Sequence, residues 1–276
     1  MKDQFVIAYL ADLTMSEAVV SHAAFMARML NKGIILLYVE DKKLATPPAA
    51  EAERAIADIE KGIADLRPAH VIMKEGLQAV IDALPTLLNG VVAVAGVDTG
   101  AAKSSPTHPR TLLRLFKNCK IAYLTVQTPL ADSHAYDRTA FGIDFRKESK
   151  DKLIWASYMA RFHKSRLTML HFQYRDEGLR GKWRNNVLFM NKFFKTLGVS
   201  YDSRAVDGHA LFPETIICDN ASLMGCGLLI SVTTDTRDLD IIEWIVGTQE
   251  QRTIRNAAKM PVLFINPRND IYVLCD

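Results

Sequence analysis

The feature that most constrains the fold is an alternation of short apolar runs with longer amphipathic stretches, which occurs in both halves of the 276-residue chain. The runs are rich in Val, Ile and Leu, as expected for strands that are buried on both faces. Strands that alternate with helices in this way form βαβ units around a parallel sheet. The pattern therefore predicts an α/β protein.

The order of these segments in the first half is repeated in the second half. Asp12 follows the first apolar run, and Asp144 follows the run at the equivalent place. The second runs, Ile34–Val39 and Leu167–Phe172, are displaced by nearly the same distance along the chain. This repeat indicates two duplicated domains, and the alternative is one long domain of regular α/β pattern. The predicted domains are residues 1–132 and 133–276.

Helix signals separate the apolar runs. Residues 15–30 carry apolar side chains at steps of three and four, and we expect Ser16 to cap this helix. Further helices are predicted at residues 48–66, 77–88 and 109–118.

Composition and charge narrow the class of protein. Apolar residues make up 49% and charged residues 24%, which is typical of globular rather than disordered chains. The formal charge is +3, and we expect the cations to be spread rather than clustered, which favours neither nucleic acid nor a membrane as a partner. Because no apolar run approaches the ~20 residues of a membrane span and no signal peptide is evident, a cytoplasmic location is expected.

Catalytic and metal-binding motifs are missing from the sequence. The four cysteines have no C-x-x-C spacing, and the seven histidines form no H-x-H or H-E-x-x-H pattern, so no metal site is predicted. Neither a G-x-S-x-G nucleophile elbow nor a Walker A loop is present. We therefore predict a protein that is not an enzyme.

Several segments, taken in order, resemble the universal stress protein family. They are Val6–Ala18 with Gly33–Val39, Gly142–Glu148 with Leu167–Phe172, and Gly247-Thr248 followed by Pro261-Val262-Leu263. The chain as a whole resembles a tandem, two-domain member. The resemblance implies two adenine-nucleotide alpha hydrolase-like (Rossmann-like) domains, each a five-stranded parallel sheet of order 3-2-1-4-5 flanked by helices.

The resemblance also implies a function, namely a cytoplasmic stress-response protein that acts as a regulatory or nucleotide-sensing binding module. The ligand would be ATP or another adenine nucleotide, with Mg²⁺ only alongside bound ATP, at the carboxyl ends of the strands. The alternatives are a nucleotide-independent scaffold for protein interactions and, third, a slow ATPase. An unidentified protein partner is expected, with the two domains paired within one chain, as a monomer or a homodimer.

Eight residues match family positions in the nucleotide site. The aspartates after the first strands and the residues that end the second strands would contact the nucleoside, and the others would surround the phosphates. The candidates are Asp12, Val39, Gly96, Asp144, Phe172, Ser231, Gly247 and Thr248. For the aspartates, the alternative is a cap on the following turn, and for the glycines it is a turn or helix-cap role.

The family's phosphate motif, G-x2-G-x9-G-[ST], is incomplete in both halves. The first half keeps Gly96 but has Thr99 at the second position and His108-Pro109 in place of the closing pair. The second half has Ser231 at the first position and keeps Gly247-Thr248. Glycines allow backbone N–H groups to approach a phosphate closely, and proline has no N–H to offer. We expect nucleotide binding to be weak, confined to one half or absent, with the second half slightly favoured.

Overall fold

The chain consists of two compact units, Met1–Ser133 and His134–Asp276, and each is described by itself. The structure is a computed structural model, and it describes residues 4–44, 46–74, 76–207, 213–233 and 248–267. Within these residues, no helix combines the length and the apolar character that a membrane crossing requires.

The first unit contains a parallel sheet with its first strand at the centre. Its strands are β1 (Phe5–Tyr9), β2 (Gly33–Val39), β3 (Ala69–Met73), β4 (Gly90–Gly96) and β5 (Ala122–Val126). Their order across the sheet is β3-β2-β1-β4-β5, and each neighbouring pair is parallel. Nearly all residues of β1, β2 and β4 are buried, as expected where helices cover both faces of a parallel sheet.

Helices connect the strands of the first unit. They are α1 (Ser16–Leu30), α2 (Ala49–Gly62), α3 (Leu77–Asp82), α4 (Leu84–Leu87) and α5 (Pro109–Phe116). α1 buries Val19, Ala23 and Met26, which recur at steps of three and four and therefore lie on one side of the helix. This apolar side packs α1 against β1 and β4.

The second unit repeats this plan. Its strands are β6 (Arg138–Gly142), β7 (Arg166–Phe172), β8 (Tyr201–Val206), β9 (Leu228–Val232) and β10 (Val262–Ile265). Its helices are α6 (Lys152–Tyr158), α7 (Glu177–Leu197), α8 (Pro213–Leu223) and α9 (Gln249–Asn256). A 3₁₀ turn, Lys147–Asp151, precedes α6, and a π-helical turn, Met159–His163, follows it.

The sheet of the second unit has the order β8-β7-β6-β9-β10, again with parallel neighbours. In each unit this corresponds to the order 3-2-1-4-5, which confirms the predicted fold class. The strand order reverses between the first and the fourth strand of each unit. Open α/β sheets bind ligands beyond the carboxyl ends of the strands at that point, so the candidate site is sought there.

Some predicted helix ends are wrong. The N-cap position of α1 belongs to Met15 rather than Ser16, and no side chain caps this helix. The helix predicted at residues 77–88 is divided into α3 and α4, because Pro85 cannot donate a hydrogen bond to the carbonyl four residues earlier. α2 ends at Gly62, and a separate 3₁₀ turn, Ala64–Leu66, follows it.

Candidate functional site

The aspartate that follows the first strand of the first unit is partly exposed. Asp12 Oδ1 accepts hydrogen bonds from the Thr14 backbone N–H, at 3.0 Å, and from the Thr14 hydroxyl, at 2.6 Å. An aspartate that bonds the backbone two residues further on forms an Asx turn, so Asp12 shapes the loop that enters α1. The capping role that the sequence left open is therefore present, and it occupies only one of the two carboxylate oxygens.

The equivalent aspartate of the second unit is fully buried. Asp144 Oδ1 accepts a hydrogen bond from the Arg146 backbone N–H at 2.8 Å. Asp144 Oδ2 accepts from Nε of the same arginine, also at 2.8 Å, and from a terminal nitrogen of its guanidinium. The Asn186 side chain donates to the Asp144 carbonyl at 2.8 Å. Both carboxylate oxygens of Asp144 are thus bound within the protein.

The Arg146 guanidinium connects Asp144 to a second buried carboxylate. It donates to Glu214 Oε1 at 3.1 Å, and Lys152 Nζ donates to the same oxygen at 2.5 Å. The Ser231 hydroxyl donates to Glu214 Oε2 at 2.9 Å. Lys152 is 0% exposed and Glu214 is 1% exposed. Asp144, Arg146, Lys152 and Glu214, which we name the buried charge cluster, therefore balance two cations against two carboxylates, and only the Arg146 side chain, which is 22% exposed, reaches water.

The two carboxylates of the buried charge cluster favour the charged form of Arg146. Burial lowers the pKa of Arg146, but the carboxylates of Asp144 and Glu214 outweigh burial and raise it above its ordinary value. Glu214 lies in the first turn of α8, where the helix dipole favours a negative charge. The Glu214 backbone N–H donates to the side-chain oxygen of Gln249, the first residue of α9.

The residues that end the second strands offer no side chain to a ligand. Val39 is 1% exposed and lies opposite Met73 in the sheet. Phe172 is 2% exposed, lies opposite Val206, and has an edge contact with the Tyr174 ring. Both side chains belong to the core, which agrees with strand-end packing and leaves only their backbone groups for a nucleoside.

Gly96, the first position of the phosphate motif, is explained by packing. A Cβ atom at this position would lie 2.6 Å from Met15 Cβ and 3.2 Å from a methyl group of Val19. The glycine therefore permits the close approach of α1 to the end of β4. This role requires no phosphate.

The loop that follows Gly96 uses its own hydrogen-bond donors. The Asp98 N–H donates to the Thr107 carbonyl at 2.9 Å, and the Gly100 N–H donates to the Asp98 carboxylate at 2.8 Å. At the start of α5, His108 Nδ1 accepts from the Arg110 N–H at 3.1 Å. Pro109 supplies no N–H. The donors that would surround a phosphate are thus reduced in number in the first unit.

The candidate phosphate-site residues of the second unit that the structure describes also form hydrogen bonds within the protein. The Ser231 hydroxyl is directed to Glu214. Thr248 is the N-cap of α9, where its hydroxyl accepts from the Gln251 N–H at 3.4 Å, which is the helix-cap alternative given by the sequence. Gly247 lies outside the described residues.

Other reactive side chains are not assembled into a site. Within the parts of the chain that the structure describes, no three metal-ligating side chains come together. Cys119, Cys218 and Cys226 are buried. Burial raises the pKa of Cys119 to about 11 and, together with nearby carboxylates, that of Cys218 to about 12, so both thiols are protonated at neutral pH.

A scan against protein-family models and a search of curated proteins found no match to the chain. Among solved structures, a universal stress protein from Archaeoglobus fulgidus DSM 4304 is similar, with a TM-score of 0.71 and 13% identity over 96% of this chain and 97% of the other. The chain has the universal stress protein fold. A functionally unknown protein from Pseudomonas aeruginosa PAO1 is also similar, with a TM-score of 0.66 and 12% identity over 99% of this chain and 95% of the other.

The chain is also similar to a domain of a transport protein. The cytoplasmic domain of a prokaryotic cation chloride cotransporter gives a TM-score of 0.58 and 11% identity, over 96% of this chain and 95% of that chain. Identities at this level establish the fold, and function has to be argued from the site.

The sequence-based interpretation missed the residues that bind Asp144 and Glu214 in the second unit. Arg146 could have been noticed, since a cation two residues after Asp144 can fold back onto it. Lys152 and Glu214 gave no such signal, because both look like exposed charges in the sequence. An aromatic group was also missed, in which Tyr174 contacts Phe145 with ring centroids 5.6 Å apart. Burial raises the pKa of Tyr174, and the Asp144 carboxylate adds to this effect.

Proposed function

We propose that the protein is a regulatory binding module of the stress-response type, whose adenine-nucleotide binding is weak and confined to the first unit. The observation that carries this proposal is the contrast between the two strand-end aspartates. Asp144 is committed to the buried charge cluster, whereas Asp12 is partly exposed and, among the residues that the structure describes, bonds to Thr14 alone, through one oxygen.

The free-energy cost of freeing Asp144 for a ligand in the second unit supports this assignment. A ribose hydroxyl could reach the Asp144 carboxylate only if Arg146 released it. Removing one partner from a buried ion pair costs about 3–5 kcal/mol, which corresponds to a loss of roughly 10²- to 10⁴-fold in affinity. Nucleotide binding in the second unit is therefore not expected, and we propose the first unit in place of the second, which the phosphate motif slightly favoured.

The first unit offers a nucleoside contact without a full phosphate cradle. Asp12 keeps one carboxylate oxygen for a ribose hydroxyl, and the end of β2 offers backbone groups. The loop after Gly96 and the His108 cap already use N–H groups that a phosphate would need. Each hydrogen bond that is not gained forfeits about 1 kcal/mol, roughly a fivefold loss of affinity, so we expect no submicromolar binding.

Calorimetry with ATP and Mg²⁺ tests this proposal. We expect at most one site per chain, lost on the substitution Asp12→Ala and unchanged in the control Asp58→Ala, which removes an exposed carboxylate of the same unit. Submicromolar binding at two sites per chain, or binding that persists in Asp12→Ala, would contradict the proposal.

A second candidate is a nucleotide-independent scaffold for protein contacts. The observation that favours it is the internal use of donors at both candidate cradles, by His108 in one unit and by Thr248 in the other. It predicts no heat of binding with any adenine nucleotide and a thermal unfolding midpoint that ATP does not shift. Slow ATP hydrolysis is the third alternative, and phosphate release no faster than that of Asp12→Ala would remove it.

A further inference from the structure

An exposed apolar strip follows two neighbouring helices of the second unit. α6 contacts α7, and the strip consists of Ile154 and Tyr158 on α6, Phe162 in the π-helical turn that follows α6, and Phe189 and Phe193 on α7. The Tyr158 and Phe162 rings lie 5.5 Å apart, and the Phe189 and Phe193 rings are stacked at 6.4 Å. We name these five residues the α6–α7 face. Ile154, Phe162 and Phe189 are 42%, 49% and 43% exposed, so large apolar side chains here remain in contact with water.

The same part of the chain is strongly basic. Between residues 146 and 197 there are 13 lysines and arginines but only four aspartates and glutamates, whereas the whole chain has a net charge of +3. The expectation that cations are spread evenly is therefore wrong for this segment. Lys150 Nζ lies 5.1 Å from the centre of the Phe189 ring, and the Arg161 guanidinium lies 5.5 Å from that of Phe162. Cations thus border the apolar strip at both ends.

A concavity of about 410 Å³ lies beside the start of this strip. Its basic lining consists of Arg146, Lys147 and Lys182, and it also includes Glu148, Asn185, Asn186 and Phe145. Lys182 is on α7, two turns before Phe189, so the concavity and the α6–α7 face share α7, and the other side of the concavity is formed by the loop after β6 and the 3₁₀ turn that precedes α6. Arg161 and Lys182 take part in no ion pair among the described residues.

We propose that the α6–α7 face binds an acidic amphipathic helix of a partner protein. The apolar strip would take the apolar side of that helix, and Arg161 and Lys182 would pair with its carboxylates. From Ile154 to Phe162 the strip spans about 12 Å at roughly 1.5 Å per residue, and with the bordering Lys150 the length is about 18 Å, which matches a partner helix of about 13 residues. Its apolar anchors would recur at i, i+4 and i+7, the pattern of helix-in-groove recognition.

Charge and shape favour this occupant over other anionic partners. A nucleic-acid duplex would satisfy the cations but would leave the apolar strip facing phosphates. A flat bilayer surface would not fill the basic concavity, whereas an acidic side chain near one end of a helix would. None of the five residues of the α6–α7 face lies at the carboxyl end of a strand, and although the concavity includes Phe145 and Arg146, which follow β6, we expect the peptide to bind whether or not the first unit holds a nucleotide.

Selection from a display library of 13-residue amphipathic peptides, with the polar positions randomised, tests the proposal on the full chain. We expect the enriched peptides to be acidic, to bind in fluorescence anisotropy, and to bind more weakly as salt increases. Parallel arms use vesicles containing an anionic phospholipid and a DNA duplex. Tighter binding of either than of the selected peptides would overturn the proposal, as would enriched peptides without an acidic bias.

Two variants locate the peptide on the surface. Phe189→Glu and Lys182→Glu should each weaken binding of the selected peptide at least tenfold, and Lys182→Glu should also reduce its salt dependence. The matched control is Leu223→Glu, which changes an 87% exposed leucine on α8 of the same unit and should leave affinity unchanged. Circular dichroism checks that each variant is folded. Equal affinity in Leu223→Glu and both α6–α7 variants would show that the peptide binds elsewhere and would refute the assignment.

Discussion

The buried charge cluster makes a quantitative prediction about stability. In Lys152→Met the side chain keeps a similar length but Glu214 loses a cation 2.5 Å away, which leaves a net negative charge where both residues have almost no exposure. An uncompensated buried charge of this kind costs about 3–5 kcal/mol. Glu214→Gln should cost a similar amount, because it strands the Lys152 ammonium instead.

The double variant separates charge imbalance from packing. Lys152→Met with Glu214→Gln removes one charge of each sign and retains the pair between Asp144 and Arg146. The free energy of unfolding of the double variant should be only about 0–2 kcal/mol below that of the unchanged protein. This decrease is far smaller than the sum of the decreases in the two single variants, so the coupling energy should exceed about 3 kcal/mol.

Urea unfolding monitored by tryptophan fluorescence is the suitable assay. The three tryptophans, residues 155, 183 and 244, all belong to the second unit, so their emission reports on the unit that contains the cluster. The m-value, which is the slope of the unfolding free energy against urea concentration, should be the same for all variants if their unfolded states are comparable. A double variant whose loss equals the sum of the single losses to within about 0.5 kcal/mol would refute the reasoning.

Further predictions concern the first unit, where circular dichroism during urea unfolding measures the free energy of unfolding. Gly96→Ala should lower the free energy of unfolding by about 1–3 kcal/mol, because the new Cβ has no room. The control Gly62→Ala, at a helix position with nothing within 4 Å, should raise the free energy of unfolding by up to about 1 kcal/mol, and equal effects would contradict the packing role of Gly96. Tyr9→Phe should be neutral or stabilising by about 1 kcal/mol, since the buried Tyr9 hydroxyl has no hydrogen-bond partner among the described residues. A decrease in the free energy of unfolding of more than about 1 kcal/mol would contradict this and indicate a partner for the hydroxyl. Burial lowers the pKa of His22 to about 4, and the hydrogen bond of His22 to the Thr128 carbonyl offsets this only partly. Because His22 binds a proton more readily in the unfolded chain, the free energy of unfolding should fall as the pH decreases from about 6.5 towards 4. His22→Gln should flatten that pH dependence, and an unchanged slope would exclude His22 as its source.

The sequence carried enough information to predict the fold because each element has a local signal. Buried parallel strands appear as apolar runs, and α1 appears as apolar residues at helical spacing. The strand order came from the resemblance to the universal stress proteins. The ends of helices were less accurate, since Met15 occupies the N-cap position without a capping bond, although Ser16 has the more suitable side chain.

The candidate site was less predictable because its chemistry depends on contacts between distant residues. Gly96 matched a phosphate motif, but its lack of a side chain is explained by the approach of Met15, which lies 81 positions earlier. Glu214 is 62 positions from Lys152 and 68 from Arg146 along the chain. The sequence around Glu214 does not indicate that this residue is buried. A charged residue is normally exposed, so periodicity alone assigns such residues to the surface.

The two aspartates show how one position of a repeated fold acquires different chemistry. Two residues after Asp12 stands Thr14, a short neutral side chain that bonds one carboxylate oxygen and leaves the aspartate partly exposed. Two residues after Asp144 stands Arg146, which bonds the carboxylate through its guanidinium and then reaches Glu214. Replacing Arg146 alone would not restore an open crevice, because two buried carboxylates would then share one cation. Under the proposed function, a nucleotide site in the second unit would therefore require coordinated changes at positions 146 and 214, which motif positions considered one at a time do not reveal.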